Sequence, residues 1–220
     1  MKLPTIEDVS ALLQHMRSYI PRRQDTGNIE TFEALVGFVE SRSAYIGQTS
    51  LYGYLKTRMG TRYTELFQDD AFVDSINQAK WHVYGACISD LTVFAVHHTC
   101  AELGETTDAE RSSMAAECFE MAVARSFVEE DAAGASRESR SAFEQRVAEI
   151  NWDGLDVQQD VFVASPAELV LRAPVTKEFM AEDQEVVVNS ILFRWRDVRQ
   201  QFRNRAQPVE IMSDWQSRSS

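Results

Sequence analysis

The chain has 220 residues, with 44% hydrophobic and 25% charged side chains and a net charge of −12. That length suits one domain, and that balance belongs to a folded rather than a disordered chain. The negative charge argues against nucleic-acid binding, which depends on clustered Lys and Arg. Nine glycines and five prolines are few for the tight turns of a β-rich fold, so long helices with few connections are expected.

Thr5 opens a run in which Ile6, Val9, Leu13, Met16 and Ile20 share one helical face, ended by Pro21. Arg22 to Asn28 reads as a loop. Asn28 is the expected cap of a helix through Phe32, Leu35, Val36 and Val39 to about Tyr45. Ser50 is the expected cap of a short helix to about Met59, stopped by Gly60. Asp69 or Asp70 begins the longest helix, expected to run to about Leu103 before Gly104. Thr107 and Glu110 form a capping box that opens a helix to about Asp131.

Ala132 to Ser136 reads as a small-residue break, followed by a helix marked by Phe143, Val147 and Ile150. Asn151 to Gly154 is turn chemistry, and Val161 to Val163 is a possible brief strand. Ser165 and Glu168 form a second capping box, with Pro166 in the first turn and Pro174 as the stop. A final long helix runs from about Lys177 to Asn204, its apolar register set by Val187, Ile191, Trp195, Val198 and Phe202. The tail after Pro208 is expected to fray unless Trp215 docks. The fold class is therefore all-α: an irregular bundle of roughly seven or eight helices around a central helix at about 70–103. The arrangement is a single helical domain over 1–220, with a possible subdivision into a 1–132 bundle and a 137–207 C-terminal unit.

Trp81 to Ala101 is the most apolar stretch, but Asp90, His82, His97 and His98 interrupt it. Burying them in a bilayer is costly, so no membrane span is expected. The N-terminal residues meet acidic side chains before any signal-like apolar run. Cys87, Cys100 and Cys118 are odd in number and form no CxxC pair. They read as reduced, buried thiols of a cytoplasmic protein.

Several constellations can carry chemistry. Cys87, Asp90, Phe94 and His97 fall on one face of the central helix, within roughly 80°. They suit a ligand-binding pocket in which Asp90 orients His97, or a satisfied core network without a ligand. His97 with Cys100, and His98 with Glu102, have ligand spacing, yet two ligands do not make a zinc site and no matching pair exists. No metal or cofactor is expected. The nucleophile elbow, the Rossmann glycines and the phosphate loop are all absent. The carboxylate runs at Asp69–Asp70 and Glu129–Asp131 fit solvated helix ends.

The last helix is different. Ser190 to Ala206 holds five arginines and one aspartate. Arg196, Arg199 and Arg203 form one ridge roughly 110° from the apolar stripe, and Phe193 lies nearly opposite that stripe. Either the ridge packs on the acidic body of its own chain, or it binds a partner, since Arg and aromatics are enriched at interface hot spots. The leading expectation is a non-catalytic adaptor or regulatory protein that binds another protein, or itself, through Phe193, Arg196, Arg199 and Arg203. The alternative is a small-molecule or cofactor-binding bundle, possibly an enzyme, with its pocket along the central helix.

Overall fold

The computed structural model describes residues 27–60, 68–104 and 106–218. The expected helix from Ile6 to Ile20 lies outside them. Among the described residues there are seven α-helices and one isolated bridge between Ile29 and Ala206. The protein is all-α, as the periodicity indicates.

Helix α1 spans Phe32–Met59 and ends at Gly60, whose φ of 54° suits a residue without Cβ. Its cap is Thr31, whose hydroxyl accepts from the Ala34 amide at 3.1 Å. Asn28 instead bonds Glu30 in the preceding loop. No break occurs near Ser50, because Ser43, Gly47 and Ser50 face inward and let α1 approach its neighbour. A Cβ on Gly47 would lie 3.6 Å from the Tyr84 backbone. Small residues that look like loop formers are contact points between helices.

Helix α2, Asp70–Ala101, is capped by Asp69 and is the central element. It packs against every other helix named below as well as α1. From Trp81 to Val96 only His82 is not buried. A helix apolar all round must be covered all round, which explains why this stretch is hydrophobic without crossing a membrane. Among the described residues no helix is long and apolar enough to do so.

Helix α3, Asp108–Ser126, carries the expected capping box between Thr107 and Glu110. It stops short of Asp131 because Phe127 leaves the helix to stack on Tyr84, 5.7 Å away, and to meet Trp81 at 5.4 Å. After a single 3-10 turn, Glu130–Ala132, helix α4 spans Ala133–Glu149. The alanine-rich segment read as a break is the start of this helix, and its small side chains fit close packing: Ala132, Ala135 and Ser136 are buried.

Trp152 lies in the expected turn, yet is buried and donates to the Ser112 hydroxyl at 2.9 Å. Val161 to Val163 is not a strand; Phe162 plugs the core 4.9 Å from the Trp195 ring. Helix α5, Ala164–Arg172, starts two residues earlier than the Ser165 box implies, and Ser165 is buried inside it. Helix α6 spans Lys177–Arg205.

The tail after Pro208 forms helix α7, Pro208–Arg218, rather than fraying. Trp215 is buried and donates to Glu117 at 2.8 Å, and the Asp214 carboxylate accepts from the Phe32 amide at 2.8 Å. The last helix therefore caps the first described one. One contiguous core runs from Ile29 to Trp215.

Candidate functional site

Of the four expected pocket residues on α2, Cys87, Asp90 and Phe94 are buried and His97 is not. Asp90 is fully buried. Its Oδ1 accepts from Arg146 Nη1 at 2.8 Å and from the Ala164 amide at 3.1 Å. Its Oδ2 accepts from the Ser165 amide at 2.8 Å. Val163, the N-cap residue, supplies no side-chain cap; the Asp90 carboxylate, 74 residues from Ala164, takes that role, at the end of a helix where bare amides favour an anion. Its hydrogen bonds among the described residues go to α5 and Arg146, none to His97.

Arg146 also donates to Ser89 Oγ at 2.8 Å and to the carbonyls of Asp160 and Val161. The Ser165 hydroxyl accepts from Trp195 Nε1 at 3.0 Å. Beside it, burial pushes the Cys87 thiol well up, Asp90 adds to the shift, and a hydrogen bond with Ser165 opposes it. Phe94 is buried among Phe162, Phe202 and His98. His97 is half-buried near Arg111 and Asp153, and burial lowers its pKa ahead of the Arg111 charge. Cys87, Asp90 and Phe94 form part of a satisfied core that joins α2, α4, α5 and α6. No group of three His, Cys, Asp or Glu among the described residues is arranged to hold a metal ion.

A cavity does lie along α2, on another face. It encloses about 260 Å³ between α2, α4 and α5, and its polar lining includes His82, Ser89, Glu138, Ser139, Arg146 and Glu168. Glu138 Oε2 lies 3.6 Å from His82 Nδ1 and accepts from Arg172 at 2.9 Å. Glu168 accepts from the same arginine at 3.0 Å. Burial, then the Arg172 charge, lowers the His82 pKa, which keeps the imidazole neutral near pH 7. The helices meet closely at the cavity floor: a Cβ on Gly85 would sit 2.9 Å from Ser139 Cβ.

The α6 face is the second candidate. Phe193 is 63% exposed. Arg196 lies 5.5 Å from its ring, Arg199 lies 5.3 Å from the Phe162 ring, and Arg203 lies 5.6 Å from the Phe94 ring. None of the three arginines forms an ion pair or hydrogen bond with another described residue. The expected alternative, a ridge neutralised by the acidic body, is therefore not what the described residues contain. Aromatic rings lie within cation–π reach of the guanidinium groups instead, and a guanidinium held by a ring alone still has N–H donors for a carboxylate. Burial, then the charges of Arg203 and Arg196, lowers the Arg199 pKa.

Two further residues belong to this face and escaped the sequence reading. Val186 is 70% exposed and Phe179 is 46% exposed. With Phe193 they recur at a seven-residue interval, a weaker periodicity than that of the buried register on the opposite side of the same helix. Arg146 and the His82–Glu138 cavity had no such signal, because they depend on how α4 and α5 dock. No family model, curated protein or solved structure matches this chain.

Proposed function

We propose that this chain is a non-catalytic interaction protein, an adaptor or regulatory subunit, whose docking surface is the α6 face around Phe193, Arg196, Arg199 and Arg203. One observation carries the reading: Phe193 lies exposed with Arg196 over its ring, Arg199 and Arg203 lie over the Phe162 and Phe94 rings, and none of the three arginines is in an ion pair among the described residues. Such residues make hot spots when a partner desolvates them. The charged edges supply directional, bidentate contacts, and the aromatic supplies an anchor. A photo-reactive phenylalanine analogue at position 193 of the full-length chain tests this in cells. An intermolecular protein adduct at 193, but not at the exposed Val209 of α7, supports the reading. No intermolecular adduct at 193 overturns it.

A second reading, small-molecule binding, is favoured by the cavity at His82 and Glu138. Arg146 is already neutralised by Asp90 there, and the carboxylates of Glu138 and Glu168 each keep one oxygen outside the Arg172 ion pairs. The lining suits a small polar molecule bearing an amine. An Ala142→Leu variant narrows this cavity and leaves the α6 face untouched, so loss of a bound metabolite in that variant separates the two readings.

A further inference from the structure

Helix α6 has an internal order that the interaction reading alone does not need. Its exposed apolar side chains, Phe179, Val186 and Phe193, stand seven residues apart. Seven residues is two turns less about 20°, the interval at which a second helix can follow a stripe by gentle supercoiling. At 1.5 Å per residue the stripe is about 21 Å long.

The charges beside the stripe are segregated along the helix. Lys177 to Glu185 holds one lysine against four carboxylates, while Arg194 to Arg205 holds five arginines against one aspartate. Both halves present their charges on the same flank. Glu178, Glu182 and Glu185 lie within about 60° of Arg196 and Arg203 on the helical wheel. Those three glutamates and two arginines are exposed.

Resting on the interaction reading, we infer that the partner of this face is a second copy of the same chain, docked antiparallel through α6 about a two-fold axis near Val186. The argument is charge complementarity. When two identical helices pack antiparallel, like flank meets like flank with the ends exchanged, so the acidic half of each meets the basic half of the other. A parallel pair would set each charged flank against the opposite flank of its mate, so the acidic and basic halves would not meet. A foreign acidic segment along the whole stripe would meet repulsion from Glu178 and Glu185, while Glu182 is already paired with Arg58 of α1 at 3.1 Å. A helix charged this way fits its own reverse, which is the closed, isologous pairing of a two-fold dimer. With Val186 against its mate, Phe179 faces the partner's Phe193, and Glu178 approaches the partner's Arg196.

The test uses the full chain. Sedimentation equilibrium is expected to show a monomer–dimer equilibrium whose dissociation constant rises about tenfold or more between low and high salt, because exposed pairs are screened. Glu178→Arg alone and Arg196→Glu alone are each expected to weaken the dimer, and the two together to restore it. Under mild oxidation, Val186→Cys is expected to form a disulfide dimer far faster than Val209→Cys on α7. The native cysteines are all buried and do not compete. The inference is overturned by a monomer at every salt concentration with equal cross-linking of the two cysteine variants, by no rescue in the double charge swap, or by an adduct from position 193 that lies within residues 1–26 of the same chain. An adduct with a different protein, with the chain itself monomeric, also overturns it while leaving the proposed function standing.

Discussion

Replacing Asp90 with alanine perturbs three things at once. The Arg146 guanidinium, whose side chain is 17% exposed, loses its only ion pair among the described residues. The amides of Ala164 and Ser165 lose their acceptor at the start of α5. A small void opens beside Cys87. Removing one partner of a buried pair costs about 3–5 kcal/mol, and losing a cap costs about 1 kcal/mol. Arg146 keeps Ser89 Oγ and two carbonyls as acceptors, which brings the loss of the pair below that range, to about 2 kcal/mol, for a total with the cap of about 3 kcal/mol. For a domain of this size that is a fall of roughly 6–12 °C in melting temperature. Urea titration followed by circular dichroism measures it. Asp90→Asn keeps an acceptor for α5 but not the charge, so it is expected to fall between parent and alanine. A paired Asp90→Ala/Arg146→Met variant is expected to recover part of the loss, because no uncompensated charge then remains. An Asp90→Ala protein as stable as the parent would refute the reasoning that this carboxylate joins α2 to α4 and α5.

Three further outcomes are expected. Trp215→Ala should destabilise the fold by about 3–5 kcal/mol, since the ring is buried and bonded to Glu117; a change under about 0.5 kcal/mol, the size of an ordinary surface effect, would mean α7 does not dock. Cys87, Cys100 and Cys118 should resist thiol reagents at neutral pH until denaturant is added, because burial raises all three thiols, Cys118 to about 12; rapid labelling of the native chain counts against it. His82, His97 and His98 all titrate below 6.5, chiefly through burial. The unfolded chain then binds more protons than the folded one as pH falls below 6.5, so stability falls in that window. Proton NMR of the imidazoles checks the direction, and a histidine titrating above 6.5 contradicts it.

Local rules read much of the fold correctly and failed where distant segments meet. The Thr107–Glu110 box, Gly60, Gly104 and the apolar register of Val187 to Phe202 are encoded within a turn or two, and each is where the periodicity puts it. Ser50 and the Ala132–Ser136 segment look like punctuation because small residues suit turns, but they also suit close helix contacts, and only the neighbouring helix decides which applies. The start of α5 shows the same limit: Ser165 resembles a cap, yet Asp90 does the capping and Ser165 serves Trp195 and Cys87. The burial of Asp90 follows from its place on an apolar helix. Its partner, Arg146, lies 56 residues away and has no sequence spacing that betrays it.

The arginines of this chain divide by what holds them, and the division gives a final prediction. Arg146 is held by a buried carboxylate, so Arg146→Gln should destabilise the fold about as much as breaking any buried pair, roughly 3–5 kcal/mol. Asp90 would then stand as a buried charge with only the α5 amides around it. Arg196 is exposed and, among the described residues, its one ring contact is with the exposed Phe193, so its folded and unfolded surroundings are nearly alike. Arg196→Gln should therefore leave the urea midpoint unchanged while weakening association at low salt. The two variants remove the same charge from the same chain, so a general electrostatic effect would move both properties in both proteins. Measured side by side, a midpoint shift in Arg196→Gln comparable to that of Arg146→Gln would place Arg196 in the fold rather than in an interface. Unchanged association with an unchanged midpoint would remove Arg196 from the docking surface altogether.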